Sequence, residues 1–417
     1  MMTRVSTNMP VTDMQSALKR QESVLSNIQN QMGTNNKLHR LRDDPIGASH
    51  SVRYDSYLTR LHRFEDNTEY AKKHLDNTHD NLMSTTEILQ RIRELAVQGS
   101  NGTYSPDDLK IMAVEVNELL KQLVSISNTL GPDTKQAFAG DKVFTQPFRI
   151  VEGRVDGGED HLITNVEYRG AGASRRVEIG DNMFLKIDIG GDEVFWAEKM
   201  KVFSSVDATD YRVQEPGAFF IDGIEIPVAV GDTLPAIVAK INDSAAPVKA
   251  YIDIDSRGLV LEGTTAHLIR AEDKVGGASV LRDLGIIKGN MTNNAPNWSD
   301  SARVAGGSMF DMVIRLRDGM LRGDQDFIGS QGIAGMDLAL NNLVHRLADV
   351  SSRKERAEMA WLRINQQIPN IQEMLNREIG VDIATAATDL KMAEYSHQAI
   401  LATAGKLLPA SLLNFLR

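Results

Sequence analysis

Apolar residues recur at steps of three, four and seven positions near both ends of this sequence. Near the start they are Val11, Met14, Leu18, Leu25, Ile28 and Met32, and near the end they are Ile383, Ala386, Leu390, Ala393, Ile400, Ala404 and Leu407. This spacing places the side chains on one face of a helix, where they can pack against a second helix. Because neither stripe has a partner in its own neighbourhood, we predict that the two end segments pair and then assemble with further copies.

The inner segments show the same helical spacing over greater lengths. It predicts a first helix over 11–38, a second from Pro45 to about Gln98, and a third that follows the cap Ser105-Pro106 and stops at 131. Further along, it predicts a fourth helix over about 303–322 and a long fifth helix from Met336. Helices this long must bury their stripes against each other, which predicts an antiparallel coiled-coil rod.

Two irregularities interrupt the stripe of the fifth helix. Leu375, Ile379 and Ile383 are four apart twice running, a stutter that locally unwinds a supercoil. Pro369 lies inside the stripe and is expected to kink or interrupt the helix. We interpret the stutter, at Ile379, as one side of a joint between the rod and the terminal helices. The other side of this predicted joint comprises Asp43, Asp44, Pro45 and Gly47, where an Asp before Pro is a favourable helix cap.

The period changes to two between about 141 and 302, where glycine is frequent. Short alternating runs at 176–179, 184–189, 218–226 and 258–262 indicate strands, and 234–241 and 280–284 indicate short helices. The predicted fold is therefore mainly α with an inserted β domain at the tip of the rod. We divide it into a terminal helical pair (1–42 with 383–417), the rod (43–140 with 303–382) and a β-rich outer domain (141–302).

Composition excludes several classes of function. The chain has no cysteine, which excludes disulfides, cysteine nucleophiles and thiolate metal sites. Its net charge of −10, with Lys and Arg scattered, argues against a nucleic-acid partner. No apolar run is long enough to cross a membrane, and the first ten residues do not resemble a secretory signal peptide. We therefore expect no membrane insertion, and any export must use another route.

No pattern points to catalysis, a metal or a cofactor, and we predict that the protein is not an enzyme. Residues 253–258 resemble a calcium loop, but Thr264 stands where the bidentate Glu is required, so a hairpin turn is the better interpretation. Several histidines lie on the predicted helices without the four-residue pairing that a zinc helix uses. We interpret them as residues of solvated helix faces: His39, His50, His62, His74 and His79.

Strings along nearly the whole chain resemble bacterial flagellin-related proteins, and most closely the hook–filament junction proteins of the FlgL family. They include 4–9 (RVSTNM), 42–48 (RDDPIGA), 138–140 (FAG), 168–170 (YRG), 308–311 (SMFD) and 412–417 (LLNFLR). The stretch of about 211–290, with Ile241-Asn242, resembles an insertion motif of flagellins and hook proteins. That motif is a departure from short junction proteins, and it affects the expected outer domain more than the expected assembly.

The resemblance implies a structural role in the bacterial flagellum, as a ring of copies that joins hook to filament. It implies export through the flagellar type III channel to a flagellum outside the cell or in the periplasm. The implied partners are further copies of the chain, the hook-associated protein on the hook side, flagellin, and a cytoplasmic export chaperone. The end segments would be largely disordered in a free monomer and would fold on assembly.

Three alternatives stay open at this point. The end stripes could form only a local pair inside one chain. The protein could be a flagellin, the subunit of the filament itself. More remotely, the β insert could be a glycan-acting domain on a helical stalk, although the sequence shows no carboxylate pair at a plausible strand end.

Overall fold

A computed structural model gives the fold of the protein; it describes residues 9–38, 44–155, 158, 161–171, 175–289 and 297–413, with the backbone alone at 9–11 and 405–413. The longer helices are α1 (Met9–Thr34), α2 (Pro45–Gly99), α3 (Pro106–Ser127), α5 (Leu234–Asp243), α7 (Met309–Arg322), α9 (Ile333–Ile379) and α10 (Ile383–Leu413). The shorter ones are α4 (Gly191–Val194), α6 (Val280–Asp283) and α8 (Gln325–Phe327), and a π-helical turn (Ile328–Gly332) precedes α9. Long helices around an inserted β region are the predicted fold class, which is confirmed.

The strands lie between α3 and α7. They are β1 (Phe148–Gly153), β2 (Leu162–Tyr168), β3 (Arg176–Gly180), β4 (Met183–Lys186), β5 (Lys201–Ser204), β6 (Gly217–Ile221), β7 (Ile224–Val228), β8 (Val248–Ile252), β9 (Leu259–Gly263), β10 (Ala271–Asp273) and β11 (Ala302–Ala305). All their pairings are antiparallel: β1 with β2, β3 with β4, the sheet β10–β6–β7, and the sheet β11–β5–β9–β8. The segment 253–258 joins the hairpin β8–β9, as predicted.

The chain divides into two compact units. One, called unit 1 here, comprises Met1–Glu65 and Leu362–Arg417, and the other, unit 2, comprises Asp66–Trp361. The three-part division at 42/43, 140/141, 302/303 and 382/383 stays a prediction.

Unit 2 has a helical core and a second, β-rich core. The helical core contains buried residues of α2, α3, α7 and α9, and β1 to β4 and α4 bury their apolar side chains in the same cluster. Ion pairs fix the direction of α2 against α9: Lys72 Nζ lies 3.1 Å from Glu358, Lys354 Nζ lies 2.7 Å from Asp76, and Arg93 Nε lies 2.5 Å from Asp337. Ascending positions on α2 meet descending positions on α9, so the two helices run antiparallel. The second core draws on residues from Met200 to Trp298 and Ala302.

The starts of α3 and α7 follow from local sequence. Ser105 accepts a hydrogen bond from the backbone N–H of Asp108, whose carboxylate accepts one from Ser105 N–H in return. Ser308 and Asp311 repeat this capping box at α7. The predicted start of that helix at 303 is wrong, because residues 302–305 pair with β5 as strand β11. Helix formation begins only after this strand, at the box.

The ends of α1, α9 and α10 also differ from expectation. Helix α1 ends at Thr34 rather than 38, because Asn35 adopts a left-handed φ of 52°. The predicted interruption at Pro369 is wrong: α9 runs through this exposed residue, where water can solvate a carbonyl that has lost its donor. The break comes instead at Gly380–Asp382, so the stutter separates two helices and does not unwind one.

Candidate assembly interface

The two end helices pair with each other. Helix α1 packs along α10 within unit 1, and Gln21 Nε2 donates a 3.0 Å hydrogen bond to the carbonyl of Ala393. Two of the three alanines of the stripe, Ala386 and Ala393, are its most buried members, with 8% and 5% of their surface exposed. Small side chains let two helix backbones approach closely, so the alanines position the helices and the larger residues flank them.

Most of the predicted stripe is only half-buried in a single chain. Ile383 is 61% exposed. The side chains of Val11 and Leu407, and the whole of Asp43, lie outside the described residues. The half-buried members are Met14, Leu18, Leu25, Ile28, Met32, Leu390, Ile400 and Ala404. One partner helix therefore covers part of each apolar face and leaves the rest exposed to water.

Sequence analysis missed a second apolar surface on the same helix. Met392 and Tyr395, which are 57% and 72% exposed, lie three positions apart on the face of α10 that points away from Ala386 and Ala393. Large exposed apolar side chains on a helix indicate a contact surface when they form a contiguous patch. The sequence could have indicated this surface, because Met392 and Tyr395 are three positions apart and lie beside the stripe in the sequence.

Backbone contacts hold the segment after α1 against the break between α9 and α10. Asn36 forms an isolated bridge with Gly380, and Lys37 N–H donates to the carbonyl of Ile379 at 2.7 Å. Asp382 then caps α10 by accepting from the N–H of Ala384 at 3.0 Å. The structure thus places Ile379 at a fixed point within unit 1.

The other predicted joint residues form the start of α2. The carboxylate of Asp44 accepts hydrogen bonds from the N–H groups of Ile46 (3.1 Å) and Gly47 (3.0 Å), and Pro45 is the first helical residue. A Cβ on Gly47 would lie 2.6 Å from the Asp44 carboxylate, so glycine is required for this cap. One turn later, His50 Nδ1 lies 3.2 Å from Glu378 near the end of α9. Whether these positions form a joint stays a prediction.

Unit 2 contains a buried polar cluster that sequence analysis did not find. Arg175 is its centre, and its Nε and Nη2 donate to the carboxylate of Asp188 at 2.6 and 3.0 Å. Its Nη1 donates to the hydroxyl of Tyr70 at 3.0 Å and to the carboxylate of Asp133 at 3.3 Å. His74 Nε2 lies 2.9 Å from the Arg175 Nη2. His74 is 1% exposed, so its interpretation as a residue of a solvated helix face is wrong. Its spacing from Ala71 and Thr78 places it on the buried face of α2, which the sequence could have revealed.

The charges of this cluster shift each other's protonation. Burial lowers the pKa of His74, against the opposing effect of Asp188. Burial acts to raise the pKa of Asp133, but hydrogen bonds from Tyr70, Arg175 and Lys135 outweigh it and bring that pKa to about 2. The bonds to Asp188 raise the pKa of Arg175. A fixed cation between two carboxylates is typical of a structural ion-pair cluster.

A further polar cluster connects the two cores of unit 2. Arg270 contacts the carboxylate of Asp192 at 3.1 Å and donates to the carbonyl of Gly170 at 3.1 Å, while His267 Nε2 lies 3.1 Å from Asp222. Burial raises the pKa of Asp192. These side chains line an open cleft of about 850 Å³. Across the described residues, no group of three or more His, Asp or Glu side chains is arranged to hold a metal ion.

Comparison with known proteins shows which proteins this chain is similar to. Residues 5–143 match the bacterial flagellin N-terminal helical region, and residues 215–265, inside the predicted insertion-motif subdomain of about 211–290, match the flagellin hook IN motif. The chain is 27% identical over 245 residues to flagellar hook-associated protein 3 of Escherichia coli K12, covering 58% of this chain and 70% of that protein. The chain is therefore similar to flagellin-related and hook-associated proteins. It is also 26% identical to flagellin FlaB1 of Treponema pallidum, over 56% of its own length and 84% of the flagellin.

A solved structure is similar as well. Hook-associated protein 3 of Legionella pneumophila aligns with 78% of this chain and 97% of its own, with 18% identity and a TM-score of 0.46. No helix in the described ranges of the chain is long and apolar enough to span a bilayer.

Proposed function

We propose that this protein is a structural subunit of the bacterial flagellum that joins hook to filament as a ring of copies. The observation that carries the proposal is the incomplete burial of the α1–α10 pair, where Leu18 and Leu390 stay half-buried and Tyr395 is exposed. Full burial of a Leu side chain stabilises by roughly 1.5–3 kcal/mol. A row of such residues therefore supplies a substantial driving force for contacts between copies.

Each copy supplies two apolar surfaces to its neighbours. The half-buried flanks of the α1–α10 pair form one, and the opposite face of α10 with Met392 and Tyr395 forms the other. Two different surfaces on one subunit give head-to-tail contacts, which close into a ring or continue as a helix. We assign the protein no catalytic step.

The specific partners are inferred from the resemblance to FlgL-family proteins. We infer contacts with the hook-associated protein on the hook side and with flagellin on the filament side. An export chaperone would cover the apolar face of α10 in the cytoplasm, and the protein would then leave through the flagellar export channel. The end segments would complete their folding on assembly; amide exchange on purified monomer tests this, and strong protection across both α1 and α10 would contradict it.

Charge substitutions in the stripe test the proposal. Leu18→Glu and Leu390→Glu each place a charge in an apolar seam, where a buried unpaired charge is costly. We expect both variants to keep the circular dichroism of the wild type and to abolish motility and ring incorporation. Ser23→Glu places the same charge at an exposed position on the face of α1 opposite the stripe; it is the matched control and should assemble. Motile cells carrying either Leu→Glu variant would contradict the assigned seam.

A filament subunit is the second candidate, and the similarity to FlaB1 over 84% of that flagellin favours it. Two experiments separate the candidates. Purified filament subunits polymerise alone into long tubes, whereas a junction subunit stays as short oligomers. Electron microscopy of a deletion strain should show hooks without attached filaments if the protein is the junction subunit.

A further inference from the structure

Strand β8 has an open edge. It is the terminal strand of its sheet and pairs only with β9 among the described strands. At one end of the strand, the carbonyl of Pro247 accepts a hydrogen bond from Thr264 N–H at 2.8 Å. At the other end, Asp253 N–H donates to the carbonyl of Gly258 at 3.0 Å. The odd-numbered residues of this segment therefore direct their backbone groups toward β9. In an antiparallel pair, hydrogen-bonded and non-hydrogen-bonded positions alternate. The backbone groups of residues 248, 250 and 252 therefore point to the open edge.

Asn242 occupies the centre of this edge. Its Oδ1 accepts a hydrogen bond from Ala250 N–H at 2.8 Å, and its Nδ2 donates to the carbonyl of the same residue at 2.9 Å. The side-chain amide thus makes the two bonds that a neighbouring strand would make. Asn242 itself is exposed, whereas the preceding Ile241 is fully buried and anchors the last turn of α5. Both residues lie inside the segment that matches the flagellin hook IN motif.

The edge would otherwise be a favourable pairing surface. Tyr251 and Ile252 are 39% and 38% exposed, and Ile254 just beyond the strand is 92% exposed. Exposed apolar edge strands recruit further strands, and natural proteins protect them. A second copy of the same strand fits well, because antiparallel pairing centred on Ala250 places Lys249 opposite Tyr251 of the second copy. Lys249 is the only charge in β8, so no like charges meet across this pair.

We propose that Asn242 blocks strand pairing between copies of this chain, and that the uncovered β8 edge binds the β8 edge of a second copy. The blocking side chain matters in any assembly that holds many copies close together, because a wrong contact through β8 would compete with the correct one. The proposed contact involves only the sheet and α5. Its tests are therefore independent of the proposed flagellar role.

Amide exchange on the wild-type full chain tests the block without any substitution. One net hydrogen bond corresponds to about a tenfold change in an equilibrium constant. We expect the Ala250 amide to exchange about tenfold more slowly than the Ile252 amide, since only the former has Asn242 as acceptor. Equal exchange rates at the two positions would overturn the proposed block.

Substitution tests the second copy as occupant. In dilute solution, where it is monomeric, Asn242→Ala should speed exchange at Ala250 about tenfold. At rising concentration it should form dimers, beyond any seen for wild type, in sedimentation velocity. Asp243→Ala, at the next exposed position of the same helix end, is the matched control and should sediment as wild type. Asn242→Ala/Ile252→Lys adds a charge to the uncovered edge and should return the variant to wild-type sedimentation. Two results would overturn the assignment of a second copy as the binding partner of the edge. One is that Asn242→Ala sediments as wild type at every concentration, and the other is that Asn242→Ala/Ile252→Lys still dimerises.

Discussion

Arg175 and Asp188 form a two-point ion pair in which Asp188 is 3% exposed and Arg175 is 26% exposed. The two residues flank the hairpin β3–β4, and Arg175 reaches from there to Tyr70 on α2 and to Asp133 after α3. A pair of this geometry satisfies the guanidinium from several directions. It fixes the base of the β3–β4 hairpin against the helical core, beside the apolar contacts that Ile179 and Leu185 make in the same cluster.

Removing one partner of this pair should destabilise unit 2. Asp188→Ala removes two charge-assisted hydrogen bonds and leaves Asp133 as the carboxylate partner of Arg175, and we expect a loss of about 2 kcal/mol in the free energy of unfolding. All three tryptophans lie within unit 2, so urea unfolding followed by tryptophan fluorescence reports on it selectively. Glu69→Ala breaks an exposed pair with Lys73 on the same helix and should leave the transition unchanged. Equal midpoints for the two variants would contradict the structural role of Asp188.

Stability should fall in acid as Asp133 is protonated. Its pKa in the folded protein is about 2, below the unfolded value of 3.8, so the folded state binds the proton more weakly. The stabilisation is therefore fully present above about pH 4 and is lost as the pH falls toward 2. Asp133→Asn cannot ionise, so its midpoint of urea unfolding should depend less on pH between 4 and 2 than that of wild type. If the midpoints of the variant and of wild type changed equally with pH, the acid sensitivity would come from groups other than Asp133.

The long helices could be predicted because their signals are local. The bounds of α2 follow from an unbroken apolar stripe between the cap at Asp44 and the glycine at 99, and the pairing of α1 with α10 follows from two stripes without neighbours. The end of α1 could not be predicted from the stripe, whose last member is Met32, because it is Asn35 that turns the backbone. Propensity and spacing do not record such a turn.

The polar clusters could not be predicted for a different reason. The partners of Arg175 come from α2, from the segment after α3 and from the end of the β3–β4 hairpin, so no sequence spacing connects them. The strand at 302–305 was hidden for the same reason: its partner β5 lies about a hundred residues earlier. Contacts between distant segments depend on the packed fold, and a single sequence shows only the local part of that information.

Arg317 should be replaceable only together with its partner. It is fully buried, and its Nη1 donates to the side-chain oxygen of Asn117 at 2.9 Å, while Nε and Nη2 donate to Asp318. Arg317→Met leaves the buried Asn117 without its donor, and we expect a loss of about 3 kcal/mol in the free energy of unfolding of unit 2. Adding Asn117→Leu should recover at least half of that loss, because the buried amide is then gone, while Asp318, with 22% of its side chain exposed, can be solvated by water. A double variant less stable than the single one would contradict this account.

The capping box at α3 should be measurable on its own. Ser105→Ala removes the hydroxyl that accepts from Asp108 N–H, which we expect to cost about 1 kcal/mol in the free energy of unfolding. Ser105→Thr retains a hydroxyl at this exposed position and should stay close to wild type. Tryptophan-monitored urea unfolding compares the two. Similar losses of unfolding free energy in Ser105→Ala and Ser105→Thr would show that the hydroxyl's hydrogen bond does not cause the destabilisation.

The hydrogen bond from Gln21 to Ala393 joins residues that are 372 positions apart in the chain. Contacts this distant carry a loop-closure cost that local contacts avoid, so they form late in folding. The α1–α10 pair is thus a product of an almost finished molecule. A copy that is still misfolded elsewhere brings its two ends together less readily, so completion of the pair at assembly favours copies whose interior is already folded.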